Sequence, residues 1–306
     1  DIMPVAEAVP GRNLRLSIDQ RLQFLAYREL KSAIAQYEAL SGSFVLLDVQ
    51  TGEVLAMANQ PSYNPNNRIQ LDLSSVRNRA VTDVFEPGST VKPFTVAVAL
   101  ESGLDLDYTI DTSPGFLRVD DAVIKDPRNR GVLDLGGILA YSSQVGISRL
   151  ALSLNEYDIW KQFQTLGFGE VTGVGFPGES SGFLPNRRRW KDIERVTFAY
   201  GYGLTVTPLQ LASAYSTIAS GGIKREVTLI ADQVSEGERV MNARIALQLQ
   251  SMLGRVITEG TGQKAAIESY DVGGKTGTAR KIGENGYDDT RHIAFFAGFA
   301  PQYSPR

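Results

Sequence analysis

A serine and a lysine three residues apart, Ser89 and Lys92, stand at the centre of Phe85-Glu86-Pro87-Gly88-Ser89-Thr90-Val91-Lys92-Pro93. Where a helix starts at the serine, position i+3 carries the amine on the same face as the hydroxyl. That is the arrangement of a serine nucleophile with a lysine base. Alone the pattern is weak, because on the order of one Ser-x-x-Lys arises by chance in a chain this long. Its flanks are stronger. Glu86-Pro87-Gly88 ends whatever precedes, and Pro93 is tolerated only in the first turn of a helix, where amide donors lack partners anyway. The spacing therefore predicts a helix that begins near Ser89 and runs over 90–100.

A second cluster is Gly274-Lys275-Thr276-Gly277-Thr278. Its flanks read as strand, so it offers a cation and two hydroxyls beside a backbone that Gly277 leaves open. Such an edge lets an extended substrate lie along it, with Lys275, Thr276 and Thr278 able to hold a carboxylate. A plain surface strand explains the same residues about equally well. A phosphate loop does not, since the required first glycine would fall at Ser269 and no strand-to-helix transition follows. Between the two clusters lies Tyr141-Ser142-Ser143-Gln144-Val145-Gly146, which by itself reads as a hydrogen-bonded turn. Gly178-Glu179-Ser180-Ser181-Gly182 matches a nucleophile elbow, with His292 in the right chain order for a triad. Pro177 and Pro185 hem that segment in as a loop, so it is rejected.

The elements that must position these residues follow from periodicity and punctuation. Ser17-Ile18-Asp19 offers cap chemistry before a helix over 20–40. Strands over 43–49 and 53–59 flank the turn Gln50-Thr51-Gly52, and a long connection over 60–79 delivers the chain to Ser89. From 90 to about 220 the pattern is mainly helical, with Thr207-Pro208 opening a helix that Gly221-Gly222 stops. A helix marked by Ile245, Leu249, Met252 and Val256 ends at Gly260, and strands over 272–281 and 292–301 flank a polar turn over 283–291. This order predicts an α+β fold, a mainly antiparallel sheet built from both chain ends and flanked by helices, with a helical block inserted. No repeat or low-complexity segment interrupts it.

Composition narrows the chemistry. Of 306 residues, 42% are apolar, ample for a core. The formal charge of −3 gives no electrostatic reason to expect nucleic acid or an anionic surface as partner. Cysteine is absent, so thiol catalysis and disulfides are excluded, and a single histidine, His292, leaves no histidine-rich metal site. No apolar run is long enough to span a membrane. The chain opens on Asp1 without a methionine or signal pattern and is expected to be part of something longer.

Ser-x-x-Lys, a serine-containing triplet and Lys-Thr-Gly, in that order, form the motif set of penicillin-binding proteins and class A β-lactamases. The chain resembles the transpeptidase domain of class B penicillin-binding proteins, most closely the division-specific, septal group of Gram-negative bacteria. The likeness covers nearly the whole chain, through Asn64-Pro65-Asn66-Asn67, Arg77-Asn78-Arg79-Ala80, Asp83 to Gly88, Tyr200-Gly201-Tyr202-Gly203-Leu204 and Phe296-Ala297-Gly298-Phe299-Ala300-Pro301. The family has Ser-x-Asn at the second motif, and here Gln144 stands in the asparagine position, one methylene longer. Ser153-Leu154-Asn155 fits that pattern but falls later, inside a helical run. The family also continues past residue 306 into another strand and a closing helix.

The resemblance implies a penicillin-binding-protein/serine β-lactamase-like fold: a sheet subdomain over 15–85 plus 222–306 and an all-helical subdomain over 90–220, within one transpeptidase domain over 1–306. It implies a peptidoglycan D,D-transpeptidase that cross-links stem peptides ending in D-Ala-D-Ala during septal synthesis and is trapped by β-lactams, without cofactor or metal. Ser89 is then the acylated serine, Lys92 its base and Ser142 a proton relay. Gln144, Lys275, Thr276, Gly277, Thr278, Arg280 and Tyr202 bind substrate, with an exposed strand charge an equally good account of Arg280. Tyr202 and the strand from His292 to Phe296 wall the cleft, although one of Phe295 and Phe296 must face the core. Division-machinery partners including a glycosyltransferase, and a place on the periplasmic face of the inner membrane behind an N-terminal anchor, belong to the same expectation. A D,D-carboxypeptidase, a β-lactamase and a β-lactam sensor without turnover are the rival readings.

Overall fold

The computed structural model describes residues 9–67, 69, 72–283 and 286–306. Helix α1 (Gln20–Gln36) opens on Asp19, whose carboxylate accepts from the N–H groups of Arg21 (2.8 Å) and Leu22 (3.2 Å). It packs on an antiparallel hairpin, β1 (Gly42–Leu47) and β2 (Val54–Gln60). Gly52 in the turn has a φ of 80°, as the sequence requires. The following connection contains two one-turn helices, α2 (Leu73–Val76) and α3 (Arg79–Thr82).

A 3₁₀ turn, Gly88–Val91, leads straight into α4 (Lys92–Glu101). Every residue of α4 before Glu101 is buried, so this helix has no solvent face and threads the core. Phe94 packs edge-on to Phe168 and Tyr215, and the Tyr215 hydroxyl donates to Thr90 O (2.8 Å). The turn that carries Ser89 is thus bolted to the interior from below.

The block over 90–220 is not all helical. Four short strands lie in it, β3 (Thr109–Asp111), β4 (Phe116–Val119), β5 (Ala122–Lys125) and β6 (Val132–Asp134), paired β3 with β6 and β4 with β5. Each is three or four residues long, too short for its alternation to stand out from a helical pattern. Asp120, with a φ of 50°, makes the tight turn between β4 and β5. The remaining helices there are α5 (Leu135–Ala140), α6 (Gln144–Ser153), α7 (Asp158–Thr165), α8 (Asp192–Ala199) and α9 (Pro208–Ala219). Thr207 and Gln210 form the capping box that starts α9, each side chain accepting from the other's N–H.

A small pair, β7 (Ile223–Lys224) and β8 (Glu238–Arg239), precedes α10 (Ala243–Thr258) and a 3₁₀ turn at Gln263–Ala265. The chain then forms the long hairpin β9 (Gly273–Gly283) and β10 (Gly286–Phe299). This ladder takes in much of the segment expected as a polar turn, with a register shift between Asp288 and His292. Helix α9 packs against both β1 and β10, and α10 packs against β9 and α5. The largest apolar cluster includes Phe94, Leu139, Ile147, Tyr215, Leu253 and Phe299, drawn from across the chain. No helix among the described residues is long and apolar enough to cross a membrane.

Candidate active site

Ser89 is half-buried in the 3₁₀ turn, and its carbonyl accepts from the Lys92 N–H. In that geometry positions i and i+3 eclipse, so the two side chains share a face even more closely than in an α-helix. The helix predicted from Ser89 therefore begins as this tighter turn. Two hydrogen bonds donated by backbone amides fix it. Gly88 N–H donates to Gly201 O (3.0 Å), and Gly203 N–H donates to Glu86 Oε1 (2.9 Å). Gly201 has a φ of 94°, and a Cβ there would lie 2.2 Å from Gly88 O. On the other side the turn packs against β9, where a Cβ on Gly88 would stand 3.3 Å from Thr278 O.

Lys92 has 0% exposure. Its Nζ donates to Ser142 O (2.7 Å), Ser143 O (3.2 Å) and Ser142 Oγ (3.3 Å). The first two motifs are thus in direct contact. Ser142 sits at a φ of 56°, a left-handed conformation that costs a non-glycine residue on the order of 1 kcal/mol or more. Ser143 caps α6, its Oγ accepting from Gly146 N–H (2.8 Å). Gln144 is the first residue of α6 and half-buried.

Strand alternation divides the third motif between two faces. Lys275, Gly277 and Ala279 are buried, while Thr278 and Arg280 are exposed and Thr276 half-exposed. Lys275, at 0% exposure, donates to Thr276 O (3.0 Å) and reaches Thr276 Oγ1 (3.5 Å), so its stem is buried beneath the strand while its amine meets the first of the two threonines. Thr276 Oγ1 is hydrogen-bonded to Thr261 Oγ1 (2.7 Å), in the turn after α10. Gly277 has a further role: the Phe295 ring across the ladder occupies the space a Cβ would need. Phe295 also packs on Phe85, with centroids 4.9 Å apart, so it is the inward member of its pair and Phe296, 43% exposed, the outward one.

Burial controls the electrostatics. Desolvation lowers Lys275 from 10.5 to about 7. Lys92 is held well below the ordinary lysine range, first by burial and then by the charge of Lys275, with Asp126 pulling the other way. The Tyr202 hydroxyl is pushed up by burial and by Glu86, with Arg280 acting in the opposite sense. The charge of Arg280 therefore reaches the Tyr202 hydroxyl. His292 is exposed.

Two contributors went unread in the sequence, Asp126 and Thr261, and Glu86 was read only as part of a flank and not for its bond to Gly203. Each acts through a contact that tertiary structure sets. The alternatives set aside are structural. Ser153 Oγ donates to Leu150 O and Asn155 Oδ1 accepts from Tyr157 N–H, both local to the end of α6. In the Gly178–Gly182 loop, Glu179 accepts from Thr172 N–H (2.6 Å), and neither strand nor helix adjoins it as an elbow demands. A cavity of about 410 Å³ lined by Leu166, Lys224, Arg225 and Glu238 contains none of the three motifs.

Residues 42–306 match the profile of the family described as penicillin binding protein transpeptidase domain. Over 299 residues the chain is 48% identical to the peptidoglycan D,D-transpeptidase FtsI of Escherichia coli K12, covering 97% of this chain and 50% of that protein. It is 41% identical to the probable peptidoglycan D,D-transpeptidase PenA of Neisseria meningitidis serogroup A, covering 97% and 51% respectively. The chain thus spans about half the length of these curated relatives. Among solved structures, the transpeptidase domain of Burkholderia pseudomallei penicillin-binding protein 3 superimposes with a TM-score of 0.88 at 38% identity, covering 97% of this chain and 87% of that one.

Proposed function

This chain belongs to the family of penicillin-binding protein transpeptidase domains, and on that footing we propose that it is a serine D,D-transpeptidase that cross-links peptidoglycan stem peptides. One observation carries the proposal: a fully buried lysine amine, depressed in pKa, joins the Ser89 turn to the Ser142 hydroxyl. As a neutral amine Lys92 has two N–H donors, matched by the carbonyls of Ser142 and Ser143, so the Ser142 hydroxyl donates to its lone pair, the point at which it takes up and passes on a proton.

Ser89 Oγ attacks the carbonyl between the two terminal D-alanines as Lys92 takes its proton. The backbone N–H groups of Ser89 and Thr278 hold the oxyanion. Ser142 passes the proton to the departing amine, and D-alanine leaves. An amine from a neighbouring strand then attacks the ester, forming the cross-link and freeing Ser89. Among the described residues β9 pairs only with β10, so its other edge is open to an extended peptide. Thr276, Thr278 and Arg280, on the outer face of that strand, take the substrate carboxylate together with the Lys275 amine that reaches Thr276 Oγ1, and Gln144 and Tyr202 also contact the substrate. Septal synthesis, the periplasmic face of the inner membrane, an anchoring helix, and division partners that include a glycosyltransferase follow from resemblance. A β-lactam, read as D-Ala-D-Ala, acylates Ser89 and stays, because its leaving group remains tethered.

The test is incubation with a D-Ala-D-Ala thioester and an amine acceptor. Repeated turnover to the amide is expected. Turnover only to the free acid identifies a carboxypeptidase, rapid hydrolysis of penicillin a lactamase, and arrest after one equivalent a sensor.

A further inference from the structure

Asp126 belongs to none of the three motifs, yet it touches the second at three points. It follows β5 directly, and its N–H donates to Gly115 O (2.9 Å), so the β4–β5 hairpin fixes its backbone. Its carboxylate accepts from Ser143 Oγ (2.5 Å), Gln144 N–H (2.5 Å) and Val145 N–H (3.2 Å). Two of the orphan amide donors that open α6 are thereby satisfied by a negative charge, where one is favoured. The residues just before them, Ser142 and Ser143, hold the Lys92 amine.

We propose that Asp126 is a positioning residue for the acylation step: it locks the Ser142–Gln144 loop from behind, and its charge acts on the Lys92 amine through that loop. A left-handed Ser142 persists only where its surroundings over-determine it, and the three bonds from Asp126 do so one residue later. Charged groups reach Lys92 from two directions, Lys275 on β9 and Asp126 after β5; Ser142 and Ser143 face it uncharged. Burial and Lys275 favour the neutral amine, and Asp126 alone opposes them. Loss of the Asp126 charge therefore lets Lys92 stay neutral to lower pH. This inference rests on the reading of Ser89 as the acylated serine and Lys92 as its base.

Two variants separate the roles. Asp126→Asn keeps an oxygen acceptor for the α6 amides and can donate to Ser143 Oγ, but carries no charge. Asp126→Ala loses the bonds as well. Acylation rates with a fluorescent penicillin are measured across the acid and neutral range, with the unfolding temperature of each variant. For Asp126→Asn the acid limb of the profile moves down by about half a pH unit or more, at an unfolding temperature close to wild type. For Asp126→Ala the rate falls about tenfold or more at every pH. An Asp126→Asn profile superimposable on wild type overturns the action of its charge on Lys92 even if Asp126→Ala does not fold, and a folded Asp126→Ala acylated at the wild-type rate overturns the lock. A wild-type protein that is never acylated removes the functional reading itself, and the inference with it; the two failures are distinct.

Discussion

Lys275 and Lys92 are buried amines in a chain that could have placed apolar side chains there, and burial of an amine works against stability. For Lys275, held at about 7 against 10.5 in the unfolded chain, the unfolded state binds a proton that the native state lacks throughout that window. Stability therefore rises with pH between about 7 and 10.5, and the full penalty, on the order of several kcal/mol, is present at pH 7 and below. Replacement of Lys275 by methionine is expected to raise the unfolding temperature at pH 7 and to abolish acylation, with the gain in stability fading toward pH 10.5. Thermal melts at several pH values check this, and a lowered melting temperature at pH 7 would contradict it. At this scale the sequence was informative: Ser89, Lys92 and Lys275 are chemically conspicuous residue types at conspicuous spacings. It was silent about which face of β9 Lys275 takes, because alternation assigns faces only relative to a sheet whose partners are known.

The 3₁₀ turn is the element on which the chemistry depends, and close backbone packing holds it together with the side-chain bonds of Tyr215 and Glu86. Gly201 is the tightest point. A methyl group at 201 would meet Gly88 O at 2.2 Å and Gly88 N at 2.4 Å, on a backbone with a φ of 94°. Gly201→Ala is expected to cost about 2 kcal/mol or more and to slow acylation at Ser89, because relief of the clash must move Gly88. Denaturant melts together with acylation rates test this; a variant of wild-type stability and rate would show that the turn is held elsewhere. The helices were readable because caps and punctuation mark them, as at Thr207-Pro208 and Asp19. Strands β3 to β6 were not, since three or four residues carry too little alternation. With them went Asp126, whose place behind the second motif depends on the β4–β5 hairpin.

Across the whole molecule, the third motif lies far along the chain from the first two, and two structural facts bring them together. Helix α4 is buried on all sides, so Lys92 enters the interior from one direction. The β9–β10 hairpin packs on α9, α10 and the 3₁₀ turn, so Lys275 enters from the other. The three motifs in their order, with the matching segments around them, made this arrangement legible before any coordinates. The supports at Glu86, Thr261 and Asp126 were not legible, because each is an ordinary polar residue whose partner is set by tertiary contact. The central claim is that Ser89 forms a covalent acyl-enzyme with Lys92 as its base, and mass spectrometry of peptides after exposure to penicillin tests it most directly. A single stable adduct on the peptide that carries Ser89 is predicted, absent from Ser89→Ala and all but lost from a folded Lys92→Ala. An adduct on any other residue, or undiminished labelling of Ser89→Ala, would contradict the account.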